Sequence, residues 1–212
     1  MIDDSINHEY IIRYLRDCYF EPDELLLSMR KFAKENEVPI AEPETAAFLR
    51  FLCSVAKPKR ILEVGTAIGY SAILMAGVCD AEIVTLERNE QMIALASENI
   101  EKAGLSDRIK IVEGDATETI YNVEGEFDLV FIDASKAHYN EFFENSRIAK
   151  GGIFVCDNVL YKGMTATDDL LVRRKITIVK RLRKFIEDTC KNPDYCSSLL
   201  PIGDGILVAY KK

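Results

Sequence analysis

The chain has 212 residues, 48% of them hydrophobic, which is enough for one domain with a full core. Its net charge of -8 and pI near 5.0 exclude a uniformly basic nucleic-acid binder and leave room only for a local basic patch. Six cysteines without C-x-x-C or zinc spacing, no apolar run near the roughly 18 residues that span a bilayer, and no basic-then-apolar leader predict a reduced, soluble, cytoplasmic protein with buried free thiols.

Residues 1–57 read as helices. "INHEYIIRYLRDCYF" carries apolar residues at helical spacing. "EPDELLLSMRKFAKENE" opens on Pro22 with acids in its first turn, and "EPETAAFLRFLCSVA" stops at Pro58. From Lys59 the rhythm changes. "RILEV" is a short apolar strand, followed by a glycine-rich turn and a helix over 70–78. "AEIVTLE", "RIKIVEG", "FDLVFID" and "GGIFVCD" are further strands. Between them lie "NEQMIALASENIEKAG", "ATETIYN" and "KAHYNEFFENSRIAK" as helices. A long helix over 167–190 follows, and "SSLLPIGDGILVAYKK" reads as two strands joined through Gly203-Asp204-Gly205. The expected fold is α/β: a doubly wound, mostly parallel, Rossmann-like sheet with an antiparallel C-terminal strand pair and an N-terminal helical layer. Residues 1–57 form the extension and 58–212 the core of a single domain.

In such sheets ligands bind beyond the carboxyl ends of the strands. Glu63 and Gly65, Glu87, Asp115, Asp133, Asp157 and Asn158 all fall there. "LEVGTAIGYSA" puts Ala67 and Tyr70 where a dinucleotide fingerprint needs glycines, so an NAD-dependent oxidoreductase is disfavoured. The string reads instead as acid-x-Gly-x-Ala-x-Gly, similar to the S-adenosyl-L-methionine (SAM) signature of class I methyltransferases. Glu87, about twenty residues on, can accept two ribose hydroxyls, or can pair with Arg88. Asp115 of "EGDA" can meet an adenine amine, or can cap the next helix. Asp133 follows the fourth strand and Asp157-Asn158 the fifth, on edges ~5 Å apart. Two carboxylates and an amide suit Mg2+ or another hard divalent cation. The plainer alternative makes them caps of the turn at Val159 and of the helix after Asp133.

"EVGTAIGYSA", "IDASKAHY" and "DNVLYKG" together resemble the metal-dependent O-methyltransferases of the catechol and caffeoyl-CoA type. The resemblance covers residues 38–205. It implies that Asp133, Asp157 and Asn158 hold the cation and that Lys136 of Asp-x-x-Lys acts with Asp133 at the accepting hydroxyl. It further implies that Glu63, Gly65, Ser71, Glu87, Asp115, Ala116, Asp133 and Tyr139 surround SAM, and that the protein is a homodimer. Ala67 departs from the middle glycine at a position the family varies. Residues 172–184, "VRRKITIVKRLRK", hold seven basic residues and no acid, either a solvated helix face or a track for phosphates. "KENEVPI", "ERNE" and "NPDY…LPIGDG" bring the resemblance closest to the bacterial tRNA 5-hydroxyuridine methyltransferases. It implies the wobble nucleotide of a tRNA anticodon loop as acceptor, with Arg173, Arg174, Lys180, Arg181 and Lys184 as phosphate contacts. A small catechol-like phenol is the alternative acceptor, and a non-catalytic RNA-binding or SAM-sensing module the alternative class.

Overall fold

The computed structural model describes residues 6–212; residues 1–5 of the expected helical layer lie outside them. Three helices come first: α1 Glu9–Cys18, α2 Glu24–Glu35 and α3 Pro43–Ala56. Asp23, after Pro22, starts α2 by accepting from the Leu25 and Leu26 amides, two of the donors a helix start leaves orphaned. Pro43 opens α3, and Lys57 ends it in a left-handed conformation before Pro58.

Strands and helices then alternate: β1 Arg60–Val64, α4 Tyr70–Ala76, β2 Glu82–Glu87, α5 Glu90–Lys102, β3 Ile109–Glu113, α6 Ala116–Thr119, β4 Phe127–Ile132, α7 Tyr139–Asn145, β5 Ile148–Cys156, α8 Ile176–Lys191, β6 Tyr195–Leu200 and β7 Ile206–Lys211. The sheet runs β3-β2-β1-β4-β5-β7-β6. Strands β1 to β5 pair in parallel, and β7 enters antiparallel between β5 and β6. The order reverses at β1, where β2 lies on one side and β4 on the other. That reversal opens a crevice at the strand ends.

The central strands are buried on both faces, so they read as continuous apolar runs. Ile61, Ile83, Leu129, Phe131 and Val155 face a core shared with α2, α3 and α4. Leu62, Val64, Val130, Ile132 and Phe154 face the opposite core, closed by α7 and α8. Among the described residues no helix is long and apolar enough to cross a membrane.

Three expectations need correction. The last long helix begins at Ile176, not 167, because residues 165–172 wrap back around Arg183, which donates to the carbonyls of Met164 and Thr165. The helix in "KAHYNEFFENSRIAK" stops at Asn145, and Ile148 already pairs with Phe127 in β5, past a register shift. Cys53 and Cys156 are buried and Cys79 half-buried, but Cys18, Cys190 and Cys196 are exposed.

Candidate active site

A cavity of about 260 Å³ lies at the ends of β1 to β4. Its floor is the turn between β1 and α4. Gly65 there has φ +104°, and a Cβ on it would stand 2.2 Å from the Asp133 carbonyl oxygen, so only glycine fits. Glu87 accepts from the Ala67 amide at 2.9 Å and from the Arg88 and Asn89 amides, which fixes its carboxylate at the cavity wall. Asp115 is both cap and wall: it accepts from the Thr117 amide and from Arg88 at 2.9 Å, and these bonds hold its carboxyl below the usual range. Ala116, Ser71 and Asp133 also line the space.

Glu63 does not reach the cavity. It is fully buried behind Ser71, accepting from the Ser71 and Thr85 hydroxyls at 2.5 Å each. Burial pushes its carboxyl up to about 7, against the pull of those two bonds and with a further push from Asp133 and Glu87. It can act on a ligand only by orienting Ser71 and the turn. Tyr139 likewise does not line this cavity. It is buried among Asp157, Phe185 and Cys156, and its hydroxyl donates to the Asp157 carbonyl at 3.0 Å.

Asp133 and Asp157 stand side by side, as the strand ends predict. The register pairs Ile132 with Cys156, and the Asp157 amide donates to the Ile132 carbonyl at 2.9 Å. Asp157 is 2% exposed, and burial followed by the charge of Asp133 pushes it up to about 7. Burial also raises Asp133, while the Lys136 ammonium opposes the shift. Asp157 caps its own turn in part, accepting from the Asn158 amide at 2.6 Å. The Val159 amide goes to the Gly205 carbonyl, and the helical turn after Asp133 starts without a side-chain cap. Asn158 sits in a left-handed conformation, φ +56°, and its Oδ1 accepts from Lys136 Nζ at 3.1 Å. The buried Thr45 hydroxyl, at the start of α3, faces Asp157 and pulls its carboxyl back down by hydrogen bonding. Among the described residues no three His, Cys, Asp or Glu side chains gather at one point. The oxygen set here is two carboxylates and one amide.

On the other side of Asn158 opens a second cavity of about 600 Å³. Ile12, Leu15 and Arg16 of α1, Thr45, Phe48 and Phe51 of α3, and residues 201–204 of the β6–β7 turn line it. Arg16 is held by Glu44 at 2.8 Å and Glu42 at 2.9 Å. Tyr19, also on this wall, donates to Glu21 at 2.9 Å, and Glu21 is bound by Arg50 at 2.6 Å. Thr45, Arg16 and Tyr19 are the site residues that sequence reading misses; no motif marks them, because α1 and α3 meet the sheet edge only in the folded chain.

The basic stretch lies apart from both cavities. Arg173, Arg174, Lys180 and Arg181 are exposed. Arg181 and Lys184 line a third cleft with Lys136, and Lys184 also pairs with Asp188 at 2.7 Å.

Comparison with known proteins agrees with this geometry. The O-methyltransferase family profile matches residues 18–212. A catechol O-methyltransferase of Niastella koreensis is 34% identical over 73% of this chain and 75% of its own. A Staphylococcus aureus crystal structure, provisionally assigned as a caffeoyl-CoA O-methyltransferase, is 34% identical; the match covers 96% of this chain and all of that one, with TM-score 0.89. The S-adenosylhomocysteine-bound methyltransferase PaMTH1 of Podospora anserina is 30% identical over 96% of this chain and 94% of its own, with TM-score 0.85. With the family profile and the fold in agreement over nearly the whole length, the chain belongs to the O-methyltransferase family.

Proposed function

We propose that this chain transfers a methyl group from S-adenosyl-L-methionine to a hydroxyl that has a second oxygen on the adjacent carbon, with a divalent cation at Asp133, Asp157 and Asn158. The observation that carries the reading is the side-by-side pair Asp133–Asp157 next to Asn158, both carboxyls raised by burial and Asp157 further by the charge of Asp133. A hard cation relieves the charge these two acids concentrate and completes the oxygen set. When bound, such an ion supplies Lewis-acid stabilisation of an oxyanion, and SAM supplies the electrophilic methyl.

The chain's own residues divide the remaining work. The glycine turn, Ser71, Glu87 and Asp115, which wall the smaller cavity, bind and orient the cofactor; the S-adenosylhomocysteine bound by PaMTH1 supports SAM as that cofactor. Asn158 stands where the larger cavity meets the acid pair, so an acceptor in that cavity has its oxygens at the sheet edge. The apolar walls Ile12, Leu15, Phe48 and Phe51 suit a flat ring. Lys136, 3.1 Å from Asn158 Oδ1, is the group that holds or moves the proton of the accepting hydroxyl.

A small catechol-like or caffeoyl-type phenol is the acceptor that the named relatives support. A second reading, 5-hydroxyuridine of a tRNA anticodon loop, is favoured by the exposed cations Arg173, Arg174, Lys180 and Arg181, and keeps the same vicinal oxygen pair. One assay separates the two. Purified protein with labelled SAM and Mg2+ is offered a catechol or 5-hydroxyuridine-bearing tRNA, each at low and high salt. Transfer to tRNA that collapses with salt selects the second reading; salt-insensitive transfer to the phenol selects the first. In both, Asp157→Ala should cut turnover at least ~100-fold, and unchanged turnover would remove the cation from the reaction.

The chain is also proposed to be a homodimer. Tyr10, Tyr14, Phe20, Phe51 and Val55 are each at least 65% exposed on the N-terminal helices and the α1–α2 connection, an apolar surface a partner copy would cover. Sedimentation at micromolar concentration should give twice the chain mass, and a monomer there would overturn the assignment.

A further inference from the structure

We propose that Arg30 is a positioning residue for the cofactor: it clamps the connection between α2 and α3 onto the start of α4 and so fixes one wall of the smaller cavity. The inference rests on the assignment of SAM to that cavity. Residues 36–42 form the connection. Pro39, Ile40 and Ala41 line the smaller cavity, and Glu42 lines the larger one. This strap therefore runs along the divide that a methyl group has to cross.

The strap holds itself in place only at its ends. Helix α2 stops at Glu35, Glu37 takes a left-handed φ of +54°, and the Val38 amide donates back to the Ala33 carbonyl at 2.9 Å. The next backbone bond already belongs to α3, from the Ala46 amide to the Glu42 carbonyl. Pro39 has no amide hydrogen to donate. Among the described residues, the one hydrogen bond that reaches residues 39–41 comes from Arg30, to the Ala41 carbonyl at 3.2 Å.

The same Arg30 nitrogen, Nη2, donates to the Tyr70 hydroxyl at 2.6 Å, and the guanidinium carbon stands over the Tyr70 ring, 4.7 Å from its centre. Tyr70 is buried, opens α4 and lines the smaller cavity beside Ser71. One half-buried cation thus joins two walls that come from distant parts of the chain. A guanidinium has both the fixed donors and the flat face that stacks on a ring; an ammonium keeps donors without the flat face.

Cofactor affinity scales with the fraction of chains whose strap is in place. If loss of the clamp leaves about one chain in ten so arranged, the apparent Kd rises about tenfold. Saturating cofactor restores the wall, so the rate of methyl transfer at saturation changes far less than the affinity.

The test titrates S-adenosylhomocysteine by calorimetry into the full-length parent, Arg30→Gln, Arg30→Lys, Tyr70→Phe and the Arg30→Gln/Tyr70→Phe double variant. Arg30→Gln should raise this Kd, and KM for SAM, about tenfold, with kcat at saturating SAM within about threefold of the parent. Arg30→Lys should recover part of the loss. The double variant should lose no more than Arg30→Gln alone, because the bond to the phenol is already gone. In the cofactor-free chain, hydrogen exchange over residues 36–46 should quicken in Arg30→Gln while that of β4 and β5 stays as in the parent. Should Arg30→Gln fold poorly, Arg30→Lys and Tyr70→Phe carry the same comparison with smaller rises, about threefold. A parental Kd and parental exchange in the variants would overturn the proposal. So would a lower Tm with Kd unmoved, which is what a merely structural arginine gives, or losses that add in the double variant. A parent that binds no S-adenosylhomocysteine would overturn the cofactor assignment instead, and the exchange rates would still decide the clamp.

Discussion

Glu63 illustrates how much a single buried carboxyl can report. Its folded value of about 7 lies above the ordinary 4.5. The native state therefore holds a proton that the unfolded chain releases. Its contribution to stability is fully present below about 4.5 and is lost as pH rises through about 7. Glu63→Gln removes that dependence while keeping a group able to meet Ser71 and Thr85. Urea titrations at pH 5 and pH 8 should show the parent losing on the order of 1–3 kcal/mol more than the variant. An equal loss in both would show that Glu63 is not the buried acid described. At this scale the sequence is readable where an acid directly follows an apolar run, as for Asp133 and Asp157. It is unreadable where depth decides: nothing in "ILEVG" distinguishes a Glu63 that touches a ligand from one buried a layer below it.

The turn between β1 and α4 behaves as a unit, because Gly65 lets the Asp133 carbonyl approach and Gly69 starts α4 at φ +84°. Gly65→Ala should cost at least about 2 kcal/mol and abolish cofactor binding by calorimetry, since both the positive φ and the 2.2 Å clash oppose it. Cofactor binding kept intact would mean that the turn can shift away from β4. The order of strands and helices is legible from apolar runs and glycine punctuation. Boundaries fail where tertiary contacts override local preference. Residues 165–172 have the composition of a helix start, yet Asp168 is drawn to Arg183 at 2.7 Å. Ile148–Lys150, at the end of a helical pattern, joins β5 because Phe127 offers it a strand partner. The arrangement of α1 and α3 over the larger cavity is invisible in sequence, since Arg16 meets Glu42 and Glu44 more than twenty residues away.

Across the whole molecule, burial raises three carboxyls together: Glu63, Asp157 and the half-buried Asp133. The cation-free protein should therefore lose stability from pH 5 to pH 8. Magnesium should return part of it, and more at pH 8 than at pH 6, because Asp157 is mostly ionised only above about 7. At a hundredfold excess over Kd the rise in Tm should be roughly 5–10 °C, and Asp157→Ala should erase it. A Tm indifferent to magnesium at both pH values would count against cation binding at these acids. The path of the backbone adds a constraint of timing. The segment carrying Asn158 is pinned by the β6–β7 turn, where Val159 and Leu160 donate to the carbonyls of Gly205 and Asp204. β7 must also slot between β5 and β6. During vectorial synthesis strands β1 to β5 can assemble early, but the segment carrying Asn158 gains its anchor only once residues 203–211 have emerged, so Asn158 stays unfixed in a nascent polypeptide until the last strand is threaded home.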